Sequence, residues 1–296
     1  MANVLTVIGA AGGLSDDIVV RALGTLNHLG AVTAPPDWLS PAEACDVAFQ
    51  GLPEKDAEKA VRSALKGAPV DYYCGPSEGR RKRLLVADMD STIITSETLD
   101  ELAALAGKGD EITAITTRSM LGEIDFHDAL RRRLAILKGM PETLIAETLA
   151  GVQLTPGAAT LVRTMAAAGA HTALVSGGFT PFTEAVATMA GFHDNFANHF
   201  DFKDGQFSGN AVEPILGPEA KLETLMRLAG ARNIPITETL AIGDGANDVP
   251  MLQAAGLGIA HRGKPVAVAA ADARIDHTEL TAALFMQGYR RAEFVS

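Results

Sequence analysis

Short apolar runs alternate with amphipathic stretches along most of the 296 residues. Asn3 to Gly9 reads as a strand. Behind Ser15, a helix N-cap candidate, the stripe Ile18, Val19, Ala22, Leu23, Leu26 and Leu29 has helical spacing and stops before Gly30. A Pro35-Pro36 break leads to a strand near Cys45 to Phe49, followed by a second stripe of Ala57, Ala60, Val61, Ala64 and Leu65 that Gly67 ends. A strand around Val70 to Cys74 closes this part, and one more is expected near Ala31 to Ala34 or Trp38 to Leu39. The predicted order is β-α-β-β-α-β, a smaller α+β sandwich. Gly75-Pro76-Ser77-Glu78-Gly79 are turn formers followed by charge, so the predicted domains are 1–79 and 80–296. The basic run Arg80-Arg81-Lys82-Arg83 reads as the solvated end of that linker.

The apolar run Leu84-Leu85-Val86-Ala87 has the length and continuity of a buried strand. Helical patterns then fill about residues 96–152, punctuated by Gly107, Gly109 and Gly139. Past Thr155-Pro156, which cap and open a helix, strands and helices alternate. The strands are His171–Val175, Leu240–Ile242, Leu257–Ala260 and Ala273–Ile275, with a hairpin around Asp204-Gly205. This alternation predicts an α/β fold with a doubly wound, Rossmann-like parallel sheet. The helical block is then an insertion after its first strand, placed to cover the strand ends as a cap.

Composition narrows the class. A net charge of −11 argues against a nucleic-acid or anionic-membrane partner. The opening residues have no basic stretch ahead of an apolar core, and no run approaches the roughly 20 apolar residues of a membrane helix. Cys45 and Cys74 are isolated and have no metal-ligand spacing. A cytoplasmic protein is the expectation.

The candidate chemistry gathers where strands end, as ligand sites do in open α/β sheets. Leu84 to Ala87 delivers Asp88-Met89-Asp90-Ser91-Thr92, in which Asp88 and Asp90 share a parity along an extended chain. Alone, such a pattern is more often a solvated turn. Two carboxylates in one dry site need a cation or a shared proton between them, so the functional readings are a metal site, an acid/base pair, or both. His171 to Val175 delivers Ser176-Gly177-Gly178, whose hydroxyl and open backbone N–H groups suit a phosphate oxygen. Leu240 to Ile242 delivers Gly243-Asp244-Gly245-Ala246-Asn247-Asp248, two carboxylates among small residues, a donor set of the kind Mg²⁺ takes together with substrate oxygens. Lys221 opens a helix shortly before.

In this order, the Asp-x-Asp-Ser-Thr run, Ser-Gly-Gly, a lysine and Gly-Asp-Gly-x-Asn-Asp resemble the haloacid dehalogenase superfamily of aspartate-nucleophile phosphohydrolases over residues 83–296. Glu97, shortly after the first motif, and the cap segment Asp125 to Leu134 resemble the phosphoserine phosphatase family within it. The first 79 residues resemble the ACT-like domains in topology, although the turn Gly9 to Gly13 lacks the acidic-basic-Pro-Gly pattern of a ligand site; a structural or dimerising role, as in a homodimer, is expected. The resemblance implies Mg²⁺-dependent hydrolysis of O-phospho-L-serine, the last step of L-serine biosynthesis. It makes Asp88 the nucleophile and Asp90 the acid and base. Asp88, the Asp90 carbonyl and Asp244 would hold Mg²⁺, with Asp248 ligating or orienting bound water. Lys221, Ser176, Gly177 and Asn247 would hold the phosphate. Glu97 would take the substrate ammonium and Arg133 its carboxylate, with Met120 and Phe126 lining the apolar side of the closed cap. The same core would serve another small phosphomonoester, because pocket volume is not legible in the residues.

Overall fold

In a computed structural model, residues 2–120 and 123–296 are described, without the side chain of Met120; the lining role expected of that side chain lies outside the described residues. The first half runs β1 (Asn3–Gly9), α1 (Asp16–His28), β2 (Val32–Thr33), β3 (Asp37–Ser40), β4 (Ala44–Gln50), α2 (Glu54–Ala64) and β5 (Val70–Pro76). Its antiparallel sheet has the order β2-β4-β1-β5, with β3 also paired to β4. Both sequence candidates for the second strand are therefore present. They are two pieces of one edge, β2 opposite Gln50 and Phe49 and β3 opposite Asp46 to Ala44. Pro35-Pro36 interrupts them, and proline, having no N–H to donate, is tolerated at an edge. α1 and α2 cover one face, where Leu5, Val7, Val47 and Phe49 meet Val19, Ala22, Leu26 and Val61.

The other face turns toward the rest of the chain. Ile8, Leu39, Ala44 and Tyr73 join the large core of the second half. Two polar knots fix this contact. Arg80 reaches Asp46 at 2.6 Å, the Thr6 hydroxyl at 2.8 Å and the carbonyls of Phe285 and Met286 at 3.2 Å. Asp71, buried on β5, accepts the N–H groups of Asp276, His277 and Thr278 and, at 2.6 Å, the Thr278 hydroxyl. The basic run is thus not a solvated linker end. In an extended segment side chains alternate sides: Arg80 and Lys82 turn inward, Lys82 donating to Thr237 O at 2.8 Å, while Arg81 and Arg83 face solvent beside Glu293 and Glu238.

The second half begins with β6 (Leu84–Ala87) and four helices, α3 (Thr98–Leu105), α4 (Gly109–Met120), α5 (Phe126–Ile136) and α6 (Leu144–Gly151). After α7 (Ala158–Ala167) come β7 (His171–Phe179), α8 (Thr180–Ala190), β8 (Asp194–Asn198), β9 (Phe200–Lys203) and β10 (Gln206–Ala211). The chain finishes through α9 (Ala220–Ala231), β11 (Thr239–Gly243), α10 (Val249–Ala254), β12 (Leu257–His261), α11 (Pro265–Ala270), β13 (Ala273–Ile275) and α12 (Ala282–Met286). Six strands form a parallel sheet in the order β13-β12-β11-β6-β7-β8. β8 and α11 are additions to the sequence reading. The segment Asp194-Asn195-Phe196-Ala197-Asn198 is polar because it is the sheet edge, and α11 is too short to show a period.

Register sets the site. Ala87 lies beside Ile242 on one side and Leu174 on the other, so β6 and β11 end at one level while β7 runs on past them to Phe179. The cap, α3 to α6, leaves and returns by two segments lying side by side. Ile94 bridges Leu154, Thr155 N–H donates to Ile93 O at 2.9 Å, and Thr95 N–H donates to Gln153 O at 3.1 Å. The β9–β10 hairpin meets the cap from the core side, exchanging backbone bonds of 2.9 Å between Phe207 and both Gly139 and Met140. No helix of the described residues is long and apolar enough to cross a membrane.

Replacing Asp71 with alanine would leave three backbone N–H groups and a hydroxyl without their acceptor. A loss of about 2–4 kcal/mol is expected, since hydrogen bonds to a charged group are worth about 1.5–3 kcal/mol each and orphaned donors cost more. Urea unfolding measures it, and an unchanged midpoint would show that the two halves do not depend on this contact.

Candidate active site

The loop after β6 is tightly determined. Asp88 N–H donates to Ile242 O at 2.9 Å, extending the sheet by one bond, and Asp88 Oδ1 accepts from Met89 N–H at 2.8 Å. Ser91 has φ +56, in the left-handed region that side chains rarely adopt, and the chain reverses there. The reversal is held by Ser91 N–H on Ser96 O at 3.1 Å and by the Ser91 hydroxyl on Glu97 Oε1 at 2.7 Å. It aims Asp90 at two neighbours. Oδ1 accepts from both the N–H and the hydroxyl of Thr98 at 2.9 Å, and Oδ2 accepts from the Ser176 hydroxyl at 3.1 Å. Burial raises the Asp90 pKa above the ordinary range, and the Thr98 and Ser176 hydrogen bonds oppose it without cancelling it.

Ser176-Gly177-Gly178 is a bulged strand end rather than a free turn, with the β7–β8 register shifting between Val175 and Phe179. Ser176 Oγ accepts from Gly178 N–H at 2.8 Å. A Cβ on Gly177 would stand 3.2 Å from the Phe126 ring, so the first residue of α5 lies directly on this turn. Asn198 anchors the bulge, donating to Gly177 O at 2.9 Å and accepting from Leu216 N–H at 2.7 Å. Sequence reading missed Asn198; it lies at the end of the unrecognised edge strand, with no motif around it.

Beyond β11, Asp248 folds back over Gly243, where any Cβ would collide with the carboxylate. Asp248 Oδ2 accepts from Asp244 N–H at 3.0 Å and Gly245 N–H at 2.8 Å, and Oδ1 lies 2.5 Å from Lys221 Nζ. Lys221 also meets Asp88 Oδ1 at 2.7 Å. Burial alone would lower the Lys221 pKa, but the Asp88 and Asp248 charges outweigh it and raise the value. Asp88 is held well above the carboxylate range by burial and then by the Asp248 charge, against the pull of Lys221. Burial likewise raises Asp244, opposed chiefly by Lys264, whose Nζ stands 3.3 Å from Asp244 Oδ2.

This donor set fits a hard divalent cation. Asp88, Asp244 and Asp248 each offer an oxygen within 4.8 Å of the others, and Lys221 is the buried cation among them. Asp88 Oδ2 and Asp244 Oδ1 make no hydrogen bond or ion pair among the described residues. Both Asp248 oxygens are occupied by Lys221 and the loop N–H groups, so its geometry is that of a clamp on the lysine and the loop.

On the cap side, the three consecutive arginines separate. Arg131 pairs with Glu213 at 2.6 Å and Arg132 with Asp128 at 2.7 Å, both exposed. Arg133 makes no ion pair among the described residues, its Nε donating to Ala129 O at 3.3 Å. Burial lowers its pKa, while Asp100 and then Glu97 raise it. Glu97 stands at the open mouth, reached by solvent but ringed by protein. That partial desolvation, with the Asp90 charge second, pushes its carboxyl up to about 7. Asn247 is half-buried in the loop after β11, and its amide is unpaired among the described residues.

A family model described as haloacid dehalogenase-like hydrolase matches residues 85–253. A phosphoserine phosphatase of Streptomyces coelicolor is 37% identical over 255 residues, covering 86% of this chain and 62% of that protein. A phosphoserine phosphatase of Lactococcus lactis is 39% identical over 203 residues, 69% of this chain and 94% of that one. The chain thus spans about three-fifths of the Streptomyces relative and nearly all of the Lactococcus one. Among solved structures, a probable phosphoserine phosphatase from Vibrio cholerae in unliganded form superposes with a TM-score of 0.80 at 26% identity, covering 99% of this chain and 88% of that one.

Proposed function

This chain belongs to the haloacid dehalogenase-like hydrolase family, and we propose that it hydrolyses O-phospho-L-serine to L-serine and phosphate through a phosphorylated Asp88. The observation that carries the reading is the pair of carboxyls at the end of β6. Asp88 is a buried carboxylate with one oxygen fixed by Lys221 and Met89 N–H and the other free, and Asp90 is a carboxyl whose pKa is raised by burial. The free Asp88 oxygen attacks phosphorus while the bond to the serine oxygen breaks, and Asp90 gives its proton to that oxygen. Water then attacks the phosphorus of the aspartyl-phosphate. Asp90 takes the water's proton, and the bond between Asp88 and phosphorus breaks to release phosphate.

Mg²⁺, held by Asp88, Asp244 and the Asp90 carbonyl, would supply positive charge to the phosphoryl oxygens. Asp248 keeps Lys221 and the Asp244 N–H aimed. Lys221, the Ser176 hydroxyl, the Gly177 N–H and the unpaired Asn247 amide bind the phosphoryl group. Glu97 takes the ammonium and Arg133 the carboxylate, a guanidinium matching a carboxylate in two hydrogen bonds. Phe126 on Gly177 closes the apolar side and excludes water from the first step. On this reading the L-serine product makes the reaction a step of serine biosynthesis, with the cytoplasm as its proposed compartment. The reading divides the chain at residue 79 and gives its first domain a structural and dimerising part. Because its inner sheet face is buried against the second half, a homodimer would meet through the α1–α2 layer or the sheet edges.

Asp88→Asn is expected to lower kcat by on the order of 10⁶-fold, the scale seen when a nucleophile is removed. Acid quenching with ³²P-labelled phosphoserine should leave label on the native protein and none on this variant. Label on both would refute Asp88 as the attacking group.

The Glu97 pKa of about 7 in the free protein gives a pH dependence of known sign. Below that value the carboxyl is protonated and lost as a partner for the ammonium, so kcat/KM for phosphoserine should fall as pH drops through about 7. Glycerol phosphate, which has no ammonium, should lack this extra fall. Glu97→Gln should abolish it and raise KM roughly 10- to 100-fold, the worth of one hydrogen bond to a charged group. The same pH profile in the Gln variant would remove Glu97 from substrate binding.

A further inference from the structure

Lys264 takes no part in the chemistry above, yet it is tied to the site twice. Its backbone N–H donates to Asp244 O at 2.8 Å, and its Nζ lies 3.3 Å from Asp244 Oδ2. A Cβ on Gly245 would stand 3.7 Å from that Nζ. Its charge is felt by Asp244 and also by Glu97, so the ammonium sits between the end of β11 and the cleft mouth.

The two lysines near the carboxylates differ in freedom. Lys221 is buried and wedged between Asp88 and Asp248. The Lys264 side chain is 50% exposed, and its one ion pair among the described residues is the 3.3 Å contact to Asp244. Of the two lysines, it is the one whose own side chain reaches solvent, so it can leave Asp244 without burying an unpaired ammonium. A divalent cation on the free Asp244 Oδ1 would share that carboxylate with Lys264 Nζ beside Oδ2, and two cations at one carboxylate repel. The dianionic substrate, approaching a chain of net charge −11, needs a cation at the entrance.

We propose that Lys264 is a positioning residue that holds the Asp244 carboxylate in place of the divalent cation, competes with that cation for it, and on release faces the incoming phosphomonoester at the cleft mouth. This rests on the reading of Asp244 as a metal ligand. It has an uncommon signature. Removing the lysine charge should tighten metal binding while weakening use of the substrate, whereas a residue that merely supported the loop would weaken both.

Calorimetric titration of the full chain with Mg²⁺ alone tests it, comparing the native protein with Lys264→Met, Lys264→Arg and Asp244→Asn. Lys264→Met should bind Mg²⁺ roughly two- to fivefold more tightly, as expected for one exposed ion pair. Lys264→Arg should bind it as the native protein does. In turnover assays, Lys264→Met should raise KM for phosphoserine and flatten the dependence of kcat/KM on NaCl concentration. Unchanged or weaker Mg²⁺ binding by Lys264→Met, beside a native protein that Asp244→Asn weakens, would overturn the proposal alone. Equal Mg²⁺ binding by native protein and Asp244→Asn would overturn the metal assignment, and the role of Lys264 with it.

Discussion

The buried triad of Lys221 between Asp88 and Asp248 is the constraint on which the site depends. An ammonium of this kind is costly to bury unless it is paired, and here two carboxylates at 2.7 Å and 2.5 Å secure it. The pairing is unequal, since Asp88, Asp248 and nearby Asp244 outnumber the lysine. That excess negative charge, in a site whose burial chiefly raises the pKa values of Asp88 and Asp244, is what makes the strand ends a cation site. Everything around the triad serves its geometry. The level ends of β6 and β11 bring Asp88 and the 243–248 loop together, and a glycine at 243 leaves room for Asp248 to fold back.

The same economy governs the neighbouring loop. Ser91 spends backbone strain to turn Asp90 toward Ser176 and Thr98, and its hydroxyl holds Glu97. One reversal therefore positions the proposed acid and the proposed ammonium ligand together. The cap's two connecting segments lie beside this loop. The 276–282 segment, held at one end by Asp71 of the first half, donates from Leu280 N–H to Pro156 O at 3.0 Å beside the returning one. The N-terminal sheet is thus packed into the structure that frames the cleft.

Much of this was legible in the residues because the governing features are local. Apolar runs gave the strands, and the spacing of Asp88, Asp90, Asp244 and Asp248 gave a carboxylate cluster as soon as the strands were placed side by side. Long-range features were illegible. Arg80 and Lys82 looked solvated because nothing in four consecutive basic residues shows that every second one meets a carboxylate or carbonyl distant in the chain. Asn198 and Lys264 stand outside any motif, and their partners, Gly177 O and Asp244, come from other strands. The clamp role of Asp248 depended on which of its oxygens were already taken, a matter of loop conformation rather than residue type. Among the three arginines, Arg131 and Arg132 have surface partners, and Arg133 makes no ion pair among the described residues.

The central claim is that this carboxylate cluster and the Glu97–Arg133 pair together select a phosphorylated amino acid. Phosphate release from L- and D-phosphoserine, phosphothreonine, glycerol phosphate and p-nitrophenyl phosphate, each with and without Mg²⁺, tests it most directly. The account expects a strong, Mg²⁺-dependent preference for L-phosphoserine. Equal release from the L and D forms, or none from any ester, would contradict it.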